Sequence, residues 1–150
     1  MKALVLAACV GMLSVTTGCA HKPSVSELVQ AGAQIEEAVT DLTKAYETIK
    51  GDTHLKIAKQ GFEQSLGFAK AAITQLKAKN VSLAYSNLKQ AIALVEKSVG
   101  LVKDDPKMDA IKSDVLDAYK HLLSAASILG FSPNPQPEML GSFGCHMSCG

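Results

Sequence analysis

Residues 81–102, VSLAYSNLKQAIALVEKSVGLV, decide the fold. Their apolar side chains recur at alternating steps of three and four, without a gap, at Val81, Tyr85, Leu88, Ile92, Val95, Val99 and Val102. This spacing places one apolar stripe along a helix and is typical of helices in a bundle or coiled coil. Lys79-Asn80 precedes the stretch, and Asn80 is a suitable N-cap.

Two similar stripes precede this helix. The first follows a capping box, Ser24 with Glu27, and ends at Lys50-Gly51; the second can be capped by Asp52 or Thr53. The first stripe comprises Val25, Leu28, Ile35, Val39, Leu42, Tyr46 and Ile49, with Gly32 in one place, and the second comprises Leu55, Ala58, Phe62, Leu66, Ala69, Ile73 and Leu76. Gly61 and Gly67 interrupt the second helix, which indicates a closely approaching neighbour or, alternatively, a hinge.

A fourth stripe follows Asp105-Pro106, an N-cap with proline at the first helical position, and ends at Gly130. Its members are Met108, Ile111, Val115, Ala118, Leu122, Ala125 and Leu129. Four helices with one stripe each and short connections predict an all-α, antiparallel up-down-up-down bundle over residues 24–129. A helical-repeat fold is disfavoured because no 34-residue period is present. Residues 130–150 contain three prolines and no stripe, so an irregular tail is expected.

The amino terminus carries a separate signal. Lys2 is followed by an uncharged stretch, 3–15, that is shorter than the roughly 20 residues of a membrane span. A short apolar run behind a positive residue, ending in small residues, is typical of a secretory signal peptide, here residues 1–18.

Thr16-Thr17-Gly18-Cys19 resembles the lipobox of bacterial lipoproteins, although Thr16 stands where that family usually has an aliphatic residue. The resemblance covers residues 1–19 only. It implies a lipid such as palmitate on Cys19, a lipidated spacer at 19–23, and anchoring in the cell envelope. Because Ala20 rather than aspartate follows the cysteine, it implies the outer membrane in a cell with two membranes. The alternative is an ordinary signal peptide with a free or disulfide-bonded Cys19.

Composition limits the remaining functions. The 15 basic residues are all lysine, and without Lys2 the mature chain would carry 14 lysines against 14 acidic residues. A balanced chain without arginine is unlike a nucleic-acid binder, so no nucleic-acid partner is expected. If Cys9 is removed and Cys19 is lipidated, only Cys145 and Cys149 remain, in a compartment that permits a disulfide between them.

No catalytic motif is recognisable, and no cofactor other than the lipid is expected. Asp114, Asp117 and His121 are close in sequence, but they fall on the flanks and outer side of the fourth stripe and predict a solvated face rather than a metal site. Cys145-His146-Met147-Ser148-Cys149 is the unusual segment. Its thiolate, imidazole and thioether groups suit Cu(I) or Zn. A small disulfide ring or a plain tail is the alternative.

The sequence therefore predicts a non-enzymatic, membrane-anchored envelope lipoprotein that acts as a structural or protein-interaction module with an envelope protein partner. Two alternatives stay open. One is a metal-binding or redox protein using Cys145, His146, Met147 and Cys149. The other is a periplasmic adaptor that binds a partner helix or peptide.

Overall fold

A computed structural model describes residues 22–132, which form an antiparallel four-helix bundle. The helices are α1 (Val25–Ile49), α2 (Lys56–Lys77), α3 (Val81–Val102) and α4 (Lys112–Ile128), and a short 3-10 helix, Pro106–Ala110, precedes α4. Within these residues there is no β-strand, and no helix is both long and apolar enough to cross a membrane. The predicted tail, 133–150, and the predicted signal peptide, 1–18, lie outside the described residues.

The helices follow one another around the bundle. Contacts are most extensive between α2 and α3 and between α1 and α4, weaker between α1 and α2, and weakest between α3 and α4. The bundle therefore has an amino-terminal pole, formed by the starts of α1 and α3 and the ends of α2 and α4, and an opposite pole. With 25 residues, α1 is about 37 Å long.

The two N-caps predicted at the amino-terminal pole are confirmed. The Ser24 backbone N–H donates to Glu27 Oε2 over 2.6 Å, and the Glu27 N–H donates to Ser24 Oγ over 3.2 Å. This reciprocal pair is the capping box that starts α1. The Asn80 side chain accepts a bond from the Leu83 N–H at 3.4 Å and caps α3.

The ends of α2 and α4 share one geometry. After α4, the Gly130 N–H donates to Ser127 O and the Phe131 N–H to Ala126 O, at 2.9 and 3.1 Å. After α2, the Lys79 and Asn80 N–H groups make the equivalent pair of backbone hydrogen bonds. Each closure requires a left-handed residue at its centre, with φ of 85° at Gly130 and 58° at Lys79. Glycine adopts that conformation without penalty, whereas lysine does not.

The predicted cap of α2 is wrong. The helix begins at Lys56, after Leu55, without a side-chain cap. Asp52 instead accepts the His54 backbone N–H at 2.8 Å and pairs with Lys107. Asp105 does cap the fourth segment by accepting the Lys107 N–H at 2.9 Å, but the first turn after it is the 3-10 helix.

The core agrees with the predicted stripe in α4 and departs from it in the other helices. Every predicted stripe residue from Met108 to Leu129 is buried. In α1 to α3, alternate stripe positions are displaced by one residue. Small residues occupy the centre instead, namely Ala31, Ala38, Ala45, Ser65, Ala72, Ala84, Ala91 and Ser98. The larger Val39, Tyr46, Leu66, Ile73, Tyr85 and Ile92 are only partly buried, at the edges of the core.

Gly61 confirms the expected close approach of a neighbouring helix, and Gly67 does not. A Cβ atom built on Gly61 would lie 1.7 Å from Ser98 Oγ on α3, whereas one on Gly67 would meet no atom within 4 Å. Beside Gly61, the buried Ser65 hydroxyl crosses the interface and donates to Ala91 O at 3.0 Å. The backbones of α2 and α3 are therefore closest where both helices carry small side chains.

Candidate binding surfaces

The chemical groups singled out in the sequence lie mostly outside the described residues. Cys19, the predicted lipidation site, precedes them, and Cys145, His146, Met147 and Cys149 follow them. Their lipid, disulfide and metal assignments stay predictions. The described chain starts at Lys22, three residues after Cys19, and enters α1 at Val25.

His121 lies on a flank of α4, as predicted, but this flank faces α1. Its Nδ1 atom is 3.0 Å from Gln34 Oε1 and 3.1 Å from Glu37 Oε2, and its Nε2 atom is 3.8 Å from Asp41 Oδ2. The imidazole thus stands between two carboxylates, one at each ring nitrogen. His121 therefore bridges α1 and α4 through polar contacts with Gln34, Glu37 and Asp41.

The other polar residues considered for metal binding do not join His121. Asp117 is exposed and pairs with Lys120 at 3.3 Å. Asp114 is half-buried in the first turn of α4. Between residues 22 and 132, no three His, Cys, Asp or Glu side chains form a group that could hold a metal ion.

The first candidate surface is a groove of about 380 Å³ between α1 and α2 at the amino-terminal pole. It is lined by Val25, Leu28, Val29, Gly32, Ala33, Glu36, Ile73, Leu76, Lys77 and Lys79. Val25 and Val29 are each 67% exposed, although Val25 was expected in the core stripe. Lys77 and Lys79 place two ammonium groups on the α2 side. The sequence signal for this groove is Val25-x-x-x-Val29, one helical turn apart and off the buried stripe.

A second, smaller groove of about 250 Å³ lies at the α3–α4 interface. Its walls carry Tyr85, Ile92 and Ala93 from α3 and Leu123 and Ala126 from α4, with Lys89 and Glu96 also lining it. Ser132, the last described residue, lines it as well. Both grooves thus occur at the two less extensive helix interfaces of the ring.

The opposite pole is held by an ion pair between its two connections. Lys107 Nζ lies 2.6 Å from Asp52 Oδ2, and the Asp52 side chain is 18% exposed. The hydrogen bond from Lys107, supported by the His54 backbone N–H, lowers the pKa of the Asp52 carboxyl below its ordinary range. This pair fixes the loop after α1 against the 3-10 helix, so the loops of this pole are positioned relative to each other.

Comparison of the chain with protein-family models, with curated proteins and with solved structures finds no match.

Proposed function

We propose that this protein is a non-enzymatic lipoprotein of the bacterial cell envelope, anchored through Cys19, whose bundle serves as a structural or interaction module. The observation that carries the proposal is the position of the first helix. The capping box at Ser24 starts α1 five residues after Cys19. The five residue steps from Cys19 to Ser24 span at most about 18 Å. A lipid on Cys19 would therefore hold the amino-terminal pole close to the headgroups.

The groove between α1 and α2 supports this orientation. Val25 and Val29 are the most exposed large apolar side chains described, and they lie on the helix that follows the anchor. Apolar side chains that face the interface, accompanied by lysines that reach lipid phosphates, are typical of surfaces resting on a bilayer. Lys77 and Lys79 supply those lysines. The same pole thus offers both the attachment point and a surface suited to headgroups.

Labelling with palmitate tests the anchor. Cys19→Ser should abolish incorporation of labelled palmitate, because its hydroxyl cannot accept the thioether-linked lipid that the lipobox resemblance implies. Cys9→Ser is the matched control, since Cys9 lies within the predicted signal peptide and should leave incorporation unchanged. Palmitate on the Cys19→Ser protein, or none on the unaltered chain, would contradict the proposal.

Depth measurements test the orientation. Spin labels at Lys79, Asp52 and Asp104, read in liposomes, should place Lys79 nearest the bilayer. The other two positions lie at the opposite pole, roughly 33 Å away for a 22-residue helix such as α2. The reverse order, or equal depths, would show that the bundle does not stand on its amino-terminal pole.

The adaptor alternative is favoured by the same groove, because an apolar cleft beside two helices can receive the apolar face of a partner helix. A photo-crosslinking residue at Val29 separates the two occupants. Crosslinks to lipid support membrane contact, whereas a discrete protein adduct supports the adaptor. Ile57, which is 56% exposed at the opposite pole, is the matched control position. Metal analysis of protein purified from membranes tests the predicted role of Cys145 and Cys149.

A further inference from the structure

The α3–α4 interface differs from the other three. It is the least extensive contact between neighbouring helices in the bundle, and an open groove runs along it. The lining on α3 extends from Tyr85 to Glu96, eleven residues or about 16 Å along the helix axis. Ile92 and Leu123, both half-buried, contribute apolar surface. The groove thus continues from the amino-terminal pole toward the middle of the bundle.

The chain itself enters this groove as it leaves α4. The double closure at Gly130 turns the backbone sharply and directs Phe131 back toward α3. The rings of Phe131 and Tyr85 stack, with centroids 3.4 Å apart and planes within 4° of each other. Ser132 then lines the groove. The last described residues therefore already contact the end of the groove that is nearest the amino-terminal pole.

We propose that residues 133–137 of this chain occupy the α3–α4 groove. Pro133, Pro135 and Pro137 favour an extended polyproline conformation, which rises about 3.1 Å per residue. Residues 133–137 would then cover about 16 Å, which matches the length of the groove. Proline-rich segments of this kind dock on aromatic and apolar surfaces with little loss of entropy. Here the surface begins with Tyr85.

The composition of the segment supports this occupant. Residues 133–137, PNPQP, carry no charged side chain, as suits a groove with apolar walls. A segment tethered at the mouth of the groove also has a high effective concentration there, which a separate molecule lacks. The proposal does not depend on the lipid anchor.

The length of the tail also bears on how far the cysteine pair can reach. A segment that follows the groove leads away from the amino-terminal pole. Cys145 lies 13 residues beyond Ser132, a reach of up to about 40 Å in an extended chain. The remaining length of α3, from Tyr85 to Val102, is about 25 Å. An extended chain that follows the groove is therefore long enough for Cys145 to reach the opposite pole.

Paramagnetic relaxation enhancement in NMR spectra tests this placement. The sample is the full chain in detergent micelles, with its four cysteines changed to serine and a nitroxide attached to Gln136→Cys. Four residues beyond Ser132, the label would stand about 12 Å along the groove, level with Ala93. We expect a strong loss of amide signal at Ile92, Ala93 and Leu123. A loss confined to residues 129–132 would overturn the proposal.

Two variants of α3 supply the control. Ala93→Arg fills the groove with a long side chain at an exposed position, whereas Gln90→Arg adds the same charge to the same helix at an exposed position that does not line the groove. The signal loss at Ile92 and Leu123 should disappear in the first variant and persist in the second. Persistence in both would contradict docking of the segment.

The source of the effect must also be intramolecular. When labelled protein without ¹⁵N is mixed with unlabelled ¹⁵N protein, the groove signals should keep their intensity. Loss of those signals in the mixed sample would mean that a second copy of the chain occupies the groove, which would overturn the proposal.

Discussion

Replacement of Gly61 with alanine measures how closely α2 and α3 approach. The new Cβ would lie 1.7 Å from Ser98 Oγ and 2.9 Å from Ser98 Cβ. Rotation of the Ser98 side chain removes the first contact, at the expense of its 2.6 Å bond to Leu94 O. The second contact joins two atoms fixed by their backbones. The helices must therefore move apart by several tenths of an ångström.

The size of the effect follows from three contributions. Overpacking of a core typically costs about 1–3 kcal/mol. Alanine in a helix interior is favoured over glycine by up to about 1 kcal/mol, which offsets part of that loss. Separation of the helices also stretches the buried bond from Ser65 to Ala91 O, and a weakened buried bond contributes about 1 kcal/mol. We expect Gly61→Ala to lower the free energy of unfolding by about 1–3 kcal/mol.

Gly67→Ala is the matched control in the same helix. Gly67 is exposed and would place its Cβ in open space, so the change should stabilise the bundle by about 0.5–1 kcal/mol. Ser98→Gly removes both atoms that oppose the new methyl group. In that background Gly61→Ala should also stabilise, since the nearest remaining neighbour is Leu94 O at an ordinary 3.5 Å.

Urea unfolding followed by circular dichroism measures the unaltered protein, Gly61→Ala, Ser98→Gly and the double variant, which complete a double-mutant cycle, and Gly67→Ala as the control. The coupling between positions 61 and 98 should be about 2 kcal/mol or more, because the sign of the Gly61→Ala effect reverses. If Gly61→Ala stabilises the unaltered protein as Gly67→Ala does, or if the coupling is near zero, then the close approach of α2 and α3 is refuted.

Three further predictions concern other elements. Lys79→Gly should raise the melting temperature by about 3–10 °C, because it removes a left-handed lysine that costs about 1–2 kcal/mol; a lower melting temperature would contradict that strain. Asp52→Asn should destabilise the protein at neutral pH. The stability that Asp52 contributes is present above the ordinary aspartate pKa and is lost as the pH falls through the lowered pKa of the folded state. The melting temperatures of the two proteins should therefore converge in acid. A difference that stays constant with pH would argue against the pair with Lys107. Leu42→Asp, at a fully buried position, should abolish cooperative unfolding, whereas Thr43→Asp at the next, exposed position should leave the melting temperature nearly unchanged; equal effects would reject the assigned core.

The sequence predicted the number, order and direction of the helices because each stripe has its own start and stop residues. Every residue that it placed in the core of α4 is buried, but Tyr119 and Ala126, the neighbours of Ala118 and Ala125, are fully buried as well and were not predicted. In α1 the choice was between neighbours. The pattern favoured Val39 and Tyr46 on size, but Ala38 and Ala45 are buried.

The reason for that error is physical. A stripe chosen by hydrophobicity alone selects the largest side chain near each place in the repeat. Helices that pack closely need small side chains on the line of contact, and the larger ones then cover the edges of the core. α3 shows the same rule, with Ala84 and Ala91 inside and Tyr85 and Ile92 half-buried. Which of two adjacent residues lies at the centre of the core is decided only by the helix that packs against them.

The helix starts show which features depend on neighbouring residues and which depend on residues far away in the sequence. Ser24 and Asn80 cap their helices through bonds to residues three positions ahead, which the sequence displays directly. Asp52 was an equally good candidate cap, but its carboxylate binds Lys107, 55 positions away. The sequence around Asp52 does not show that Lys107 competes with the helix for this carboxylate. For the same reason, the contacts of His121 with α1 could not be foreseen from α4 alone.

Gly61 and Gly67 show that the helix face on which a glycine lies helps to predict whether a neighbouring helix comes close. Ala58, Gly61, Ser65, Ala69 and Ala72 succeed one another at steps of three and four, so they form a single line of small residues along α2. Gly67 lies off this line, on the exposed side. A run of five small residues on one face predicts that a neighbouring backbone comes close there, whereas an isolated glycine does not. The close approach of α3 at Gly61 is therefore a property of the whole face, and the double-mutant cycle at positions 61 and 98 tests that face rather than one glycine.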